Sequence, residues 1–191
     1  FPKVFSKKDG LINDFTSSVA AGNAYNPHIW VGMSNQGISR FDGKQFKNYT
    51  ENDGLVSNRV NSVYLDKRGI VWCGTAGGVS LFDGTKFLSA SMERLIIDED
   101  GVMTIISDKN GDLWFGTAGG LARYSGERSL FIYDEAEGLT DKSVNTLTEG
   151  PEGNIWMGTS SGGLFKFNID SKDSVPIVLI GDDRTLTSNT I

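Results

Sequence analysis

Residues 53–82 read DGLVSNRVNSVYLDKRGIVWCGTAGGVSLF. Within them Val60–Asp66 is a short β-rich run, a DKRG turn follows, and Ile70–Thr75 is a second run. Gly77–Gly78 breaks the chain before a third run, Val79–Phe82. Asp83–Gly84 then carries a two-residue hairpin signal, because the positive φ of such turns favours glycine. Lys86–Ser89 is a fourth run. No stretch holds a 3.6-residue apolar period for ten residues, so the pattern predicts four short strands joined by hairpins.

The same unit recurs. Trp30, Trp72, Trp114 and Trp156 stand 42 residues apart, and each is followed two residues later by glycine: Gly32, Gly74, Gly116 and Gly158. The local strings are IWVGMSNQGISRF, VWCGTAGGVSLF, LWFGTAGGLARY and IWMGTSSGGLFKF. A period of about 42 residues fits helical HEAT or armadillo units as well as propeller blades. The strand-and-turn pattern decides for blades. The expected architecture is an all-β propeller with four four-stranded blades: residues 14–50, 58–91, 101–134 and 143–180. Departures from the repeat fall in loops. Blade I has two extra residues in Ala21–His28, blade III has Leu95–Ile97 where DGL would stand, and blade IV is longer by about five residues around Asp170–Ser174.

The opening FPKVFSKKDGL matches KQFKNYTENDGL, which ends blade I and leads to blade II. Residues 1–7 are therefore expected to be an outermost strand of a closing blade, Val175–Ile180 that of blade IV, and residues 186–191 the start of a further blade. The expectation is part of a larger ring of seven or eight blades, the alternative being a four-bladed ring with extra ends. End faces lined by Val19 on one side and by Phe165 and Phe167 on the other would be covered by further blades or by a second copy.

Composition removes several function classes. Lys plus Arg number 18 against 24 for Asp plus Glu, a net charge of −6. That opposes nucleic acid and anionic membrane surfaces as partners. No apolar run approaches the roughly 18 residues of a bilayer span, so a membrane is expected only through a segment outside this sequence. Glycine is the outlier, at 24 of 191 residues, as many tight turns require. One cysteine, Cys73, rules out an internal disulfide and a cysteine-rich zinc site. One histidine, His28, removes most metal centres and most histidine-based catalysis.

Asp108–Asp112, DKNGD, looks like the start of a calcium loop. The twelfth residue of that loop is Gly119 where glutamate is required, and DKRG and GPEG occupy the same place in blades II and IV. The segment reads as a hairpin turn, and no metal or cofactor is expected. No catalytic carboxylate pair stands out, because the acids fall in repeated turn positions. The tryptophans, at one place mid-strand in every blade, read as packing between blades rather than as sugar platforms. The glycines after them let neighbouring backbone approach. Cys73 reads as a buried structural thiol and His28, after Pro27, as a loop residue.

The candidate ligand face is where innermost strands begin, formed by the inter-blade linkers and the loops joining second and third strands. Residues that differ between blades there are Phe15, Asn35, Gln36, Arg59 and Lys142. Amides, one aromatic ring and two cations suit a sugar or a uronate.

The pattern DGL-x-SN-x-V, then DxxGxxWxGT, then GGLxxF/Y reads here as DGLVSNRV, DKRGIVWCGT and GGVSLF. It resembles the two-component regulator propeller repeat. The resemblance implies the periplasmic or extracellular sensor region of a membrane-anchored bacterial histidine kinase, often a hybrid one that regulates polysaccharide use. It implies a non-catalytic domain that recognises an oligosaccharide and relays binding to a kinase through domain or dimer geometry. Two other readings stay open: a propeller enzyme such as a lyase, and a protein-interaction scaffold without a small ligand.

Overall fold

In the computed structural model, which describes residues 3–90, 101–125, 129–169 and 176–181, the four tryptophans take the same place in four antiparallel four-stranded sheets. The sheets fall in two compact units, Phe1–Gly101 and Val102–Ile191.

The first unit holds two sheets. One is β1 (Thr16–Ala20), β2 (Ile29–Met33), β3 (Ile38–Phe41) and β4 (Phe46–Tyr49). The other is β5 (Val60–Leu65), β6 (Val71–Thr75), β7 (Gly78–Phe82) and β8 (Phe87–Ser89). In the second unit β9 (Val102–Ser107), β10 (Leu113–Thr117), β11 (Leu121–Ser125) and β12 (Ser129–Tyr133) form one sheet. The strands β13 (Val144–Glu149), β14 (Ile155–Thr159), β15 (Leu164–Phe167) and β16 (Ile177–Gly181) form the other. Each sheet is a meander whose neighbours in sequence are neighbours in space. No described residue is in an α-helix.

The turns follow from their residues. Asp66 and Asp108 each fold one carboxylate oxygen back on the turn: Asp66 Oδ1 accepts from the N–H of Arg68 and Ile70, Asp108 Oδ1 from Asn110 and Asp112. Gly69 and Gly111 supply the positive φ that closes these turns. The DKNGD segment is thus the hairpin its repeat partners predicted. At Asp83 the hairpin lies one residue on from the Asp-Gly pair. The Asp83 N–H donates to the Lys86 carbonyl, leaving Gly84 and Thr85 as the loop, while the carboxylate accepts from the N–H of both Thr85 and Lys86.

Each unit is held by aromatic seats between its two sheets. Trp30 stacks on Tyr49 of its own sheet (5.9 Å between ring centres) and meets Phe82 of the next sheet edge-on at 4.9 Å. In the second unit Trp114 repeats this with Tyr133 at 6.2 Å and Phe167 at 5.0 Å. Both tryptophans are fully buried. Burial of an aromatic side chain this large removes on the order of 200 Å² from water. Gly32 and Gly116 make the close approach possible. A Cβ on Gly32 would stand 2.8 Å from Val60 Cγ1, and one on Gly116 would stand 2.8 Å from the Val144 carbonyl oxygen.

Several expectations change. Phe165 and Phe167 do not line a bare face: both are buried, because their side of β14 and β15 packs back on Trp114. The opposite side carries Trp156 and Lys166, with Val178 in register beyond them. Trp156 is only half-buried and Val178 is exposed. Gly150 stands six residues before Trp156, where Asp66 and Asp108 stand before Trp72 and Trp114 and accept their indole N–H. Val19 is exposed, at 67%. Residues 3–6 of the expected first strand pair with no strand. Phe5 nevertheless sits on Phe41 and Phe46 at 4.9 and 5.5 Å, the seat that Tyr49 takes on Phe82 and Phe87. The outermost strand of the fourth sheet is Ile177–Gly181, two residues later at its start than expected. Leu95–Ile97, Asp170–Ser174 and residues 186–191 lie outside the described residues.

Candidate functional site

The linkers that carry the candidate face are built alike. Three of them form a single 3-10 turn closed by a capping box: Ser6 with Asp9, Thr50 with Asp53, and Asp134 with Glu137. In each, one side-chain oxygen caps the backbone of the other residue, so the exposed ends of a three-residue helix are satisfied. A glycine at positive φ then ends the turn (Gly10, Gly54, Gly138). The following leucine, Leu11, Leu55 or Leu139, is buried.

A second brace spans each linker. The N–H of Glu51 donates to Asn58 Oδ1, and the N–H of Asn58 returns a bond to Glu51 Oε1. The N–H of Lys7 donates to Asp14 Oδ1 at the same place. In the third linker this position is Lys142, whose Nζ lies 3.7 Å from Glu135. Lys142 is therefore a linker residue shared with a carboxylate. Both partners are largely exposed, so the pair holds it with no more than about 1 kcal/mol.

The residue before the brace accepts from the N–H two residues on, and in two linkers it also ties the linker to the loop between second and third strands. Asn13 Nδ2 donates to Asn35 Oδ1 at 3.1 Å, and Asn13 Oδ1 accepts from the N–H of Phe15. Ser57 Oγ accepts from the N–H of Arg59. Asp141 does most: Oδ2 accepts from the N–H of Ser161 and Gly162 and from Ser161 Oγ, and Oδ1 from the N–H of Ser143. Burial pushes this carboxyl up, but the N–H groups of Ser161, Ser143 and Gly162 outweigh burial and hold it below its ordinary range.

On these braces stand the variable residues. Phe15 is 74% exposed, and its carbonyl receives the N–H of Ser34 at the start of the Asn35 loop. Gln36 is exposed beside Asn35. Arg59 is exposed, its carbonyl accepting from Ala76 N–H, and Gly37 N–H reaches the Asn58 carbonyl. In the first unit, then, Phe15 and Asn35 are brought together through Asn13 and Ser34, and Arg59 follows the Asn58 that Gly37 touches. Lys142 belongs to the second unit.

Sequence reasoning passed over two features here. One is the bracing role of Asn13 and Asp141, which the sequence places in the linkers of the candidate face after DGL and EGL. The other is a one-residue bulge on every innermost strand, at Ser17, Asn61, Met103 and Asn145, where the register skips a residue. Such bulges re-aim side chains beside functional rims. In the second unit Ser160 Oγ bonds both Ser143 Oγ and the bulged Asn145. Among the described residues no three His, Cys, Asp or Glu side chains cluster as a metal site would need. Cys73 is buried, and burial pushes its thiol up, away from a reactive thiolate.

The two component regulator propeller model matches residues 54–77, 95–119 and 138–161. No curated protein sequence matches the chain. Among solved structures, the extracellular domain assigned to a hybrid two component system of B. thetaiotaomicron superposes with a TM-score of 0.67 at 22% identity, over 85% of this chain and 23% of that one. An extracellular domain of the same organism assigned to a one component system gives 0.73 at 21%, over 90% and 26%. Virginiamycin B lyase from Staphylococcus aureus gives 0.64 at 14%, over 86% and 54%. These likenesses establish the propeller fold. The chain spans about a quarter of the length of the two extracellular domains.

Proposed function

We propose that this chain, which carries two component regulator propeller repeats, is part of an extracytoplasmic sensor that binds a carbohydrate on its linker face. The observation that carries the reading is a division of labour within the repeat. Capping boxes and the Asn13, Ser57 and Asp141 braces recur, while Phe15, Asn35, Gln36 and Arg59 differ between blades and stand exposed on them. A rigid frame with interchangeable side chains is what recognition asks for. Phe15 supplies an apolar ring, Asn35 and Gln36 supply amides, and Arg59 supplies a cation for an acidic sugar. Binding would be relayed to a kinase outside these residues, in keeping with the extracellular two component domains that share the fold. The domain holds its ligand without chemical change. Its membrane attachment, periplasmic or extracellular setting, and covering by further blades or a second copy belong to the same proposal.

The lyase is the specific rival, since it shares the fold. A glycan array probed with the chain, followed by mass spectrometry of each bound glycan, separates the two. A sensor retains an oligosaccharide intact, and Phe15→Ala with Arg59→Ala weakens retention without a change in melting temperature. Cleavage of the bound glycan would establish the enzyme, and retention unaffected by both substitutions would remove this face as the site.

A further inference from the structure

At the other end of the first two sheets, away from the linkers, lies a cleft of about 430 Å³ between the Tyr25–His28 loop, Arg40, Arg68 and the Phe82–Gly84 hairpin. Its chemistry is read by comparing the repeats. In three sheets the tryptophan is in register with a cation on the third strand: Trp30 with Arg40, Trp114 with Arg123, and Trp156 with Lys166. Each cation lies over its ring, at 5.9, 5.2 and 5.8 Å from the centre.

Two of the three cations also have a carboxylate. Arg123 donates from Nε and Nη2 to Asp112 Oδ2, at 2.8 and 2.6 Å. Lys166 Nζ lies 3.7 Å from Glu152. Asp112 stands two residues before Trp114, and the residue two before Trp30 is His28. The first sheet therefore keeps the guanidinium and lacks the anion. Arg40 Nε is buried without a hydrogen-bond partner, and it is the atom that in Arg123 donates to Asp112.

Nearby acids do not fill the gap. Asp66 holds Arg68 through Nε and Nη2. Asp42 accepts from the N–H of Lys44 and Gln45 and Asp83, on the cleft wall, from those of Thr85 and Lys86; Asp42 acts on Arg40 and His28 only through space, without an ion-pair contact. Arg40 makes no ion pair with any described residue. A buried donor left without an acceptor is costly, and a bidentate carboxylate is the partner a guanidinium fits best.

We propose that this cleft is a binding site for a small-molecule carboxylate, which pairs with the guanidinium of Arg40 from the cleft side, as Asp112 pairs with that of Arg123. Exposed Tyr25 covers the body of the ligand, and His28, whose Nδ1 lies 3.0 Å from Asn26 Oδ1, stands at its rim. The site is independent of the linker face, and neither stands or falls with the other.

His28 is the sole histidine, so its imidazole gives one unambiguous NMR signal. Titration with D-glucuronate should shift that signal saturably, and D-glucose should not. Arg40→Leu, which copies Leu81 of the second sheet, should weaken glucuronate by about tenfold or more. His28→Asp restores the internal anion: it should raise the melting temperature and abolish the further rise that glucuronate gives the parent chain. Absence of a glucuronate shift, an equal shift with glucose, or a glucuronate effect undiminished in His28→Asp would each overturn the proposal.

Discussion

Gly116 shows how a single residue sets the spacing of two sheets. A side chain there would put its Cβ 2.7 Å from Thr104 Cγ2 and 2.8 Å from the Val144 carbonyl oxygen, and backbone of another sheet cannot swing aside. Overpacking of this kind costs about 1–3 kcal/mol. The backbone entropy saved by replacing a strand glycine offsets only about 0.5–1 kcal/mol of it. Gly116→Ala is therefore expected to lower stability, read as an earlier urea midpoint; an unchanged or later midpoint would contradict the packing. At this scale the repeat was most legible, because Trp and Gly recur every 42 residues. What the string could not carry was direction. Phe165 and Phe167 look like end-face residues in sequence, and only the side of the sheet they occupy shows that they pack back on Trp114. The missing anion beside Arg40 was likewise invisible until Asp112 was seen holding Arg123.

The linker is the element on which the proposed function rests. Its DGL signature was plain in the sequence, but the capping boxes and the Asn13, Ser57 and Asp141 braces are contacts between residues two to about twenty positions apart. Asp141 gives a test with a definite sign. Its carboxyl titrates below the ordinary 3.8 in the folded chain, so it adds stability above its unfolded value that is lost as pH falls through the folded one. Asp141→Ala should cost about 1 kcal/mol at pH 6, a charged hydrogen-bond value reduced for partial solvation. The gap to the parent should close as the pH drops below about 3.9. A gap that stays unchanged as the folded chain is acidified until the carboxyl protonates would mean that the carboxylate charge is not what holds Ser161 and Gly162. Of the face itself, the sequence located Phe15, Asn35, Gln36 and Arg59 among exposed linker and loop residues. It did not reveal that Lys142 has Glu135 beside it.

Across the whole molecule the sheets are unequally covered. Val19 on one sheet and Val178, Leu179 and Ile180 on another are exposed, and Trp156 is half-buried. Exposed apolar groups in such number favour association. The 191-residue chain made alone is expected to self-associate, and a stable monomer by light scattering over the micromolar range would contradict this. The fold account itself rests on one claim, that within each unit the first tryptophan, Trp30 or Trp114, is seated by the second sheet. Trp114 has that seat, on Phe167 and Tyr133, and Trp156 lacks it among the described residues. Chemical denaturation of Trp114→Ala and Trp156→Ala, measured side by side, tests the claim most directly. We predict a loss of about 3–5 kcal/mol for Trp114→Ala, the range for a large aromatic removed from a core, and a clearly smaller loss for Trp156→Ala. Equal losses, or a loss below about 1 kcal/mol at Trp114, would contradict it.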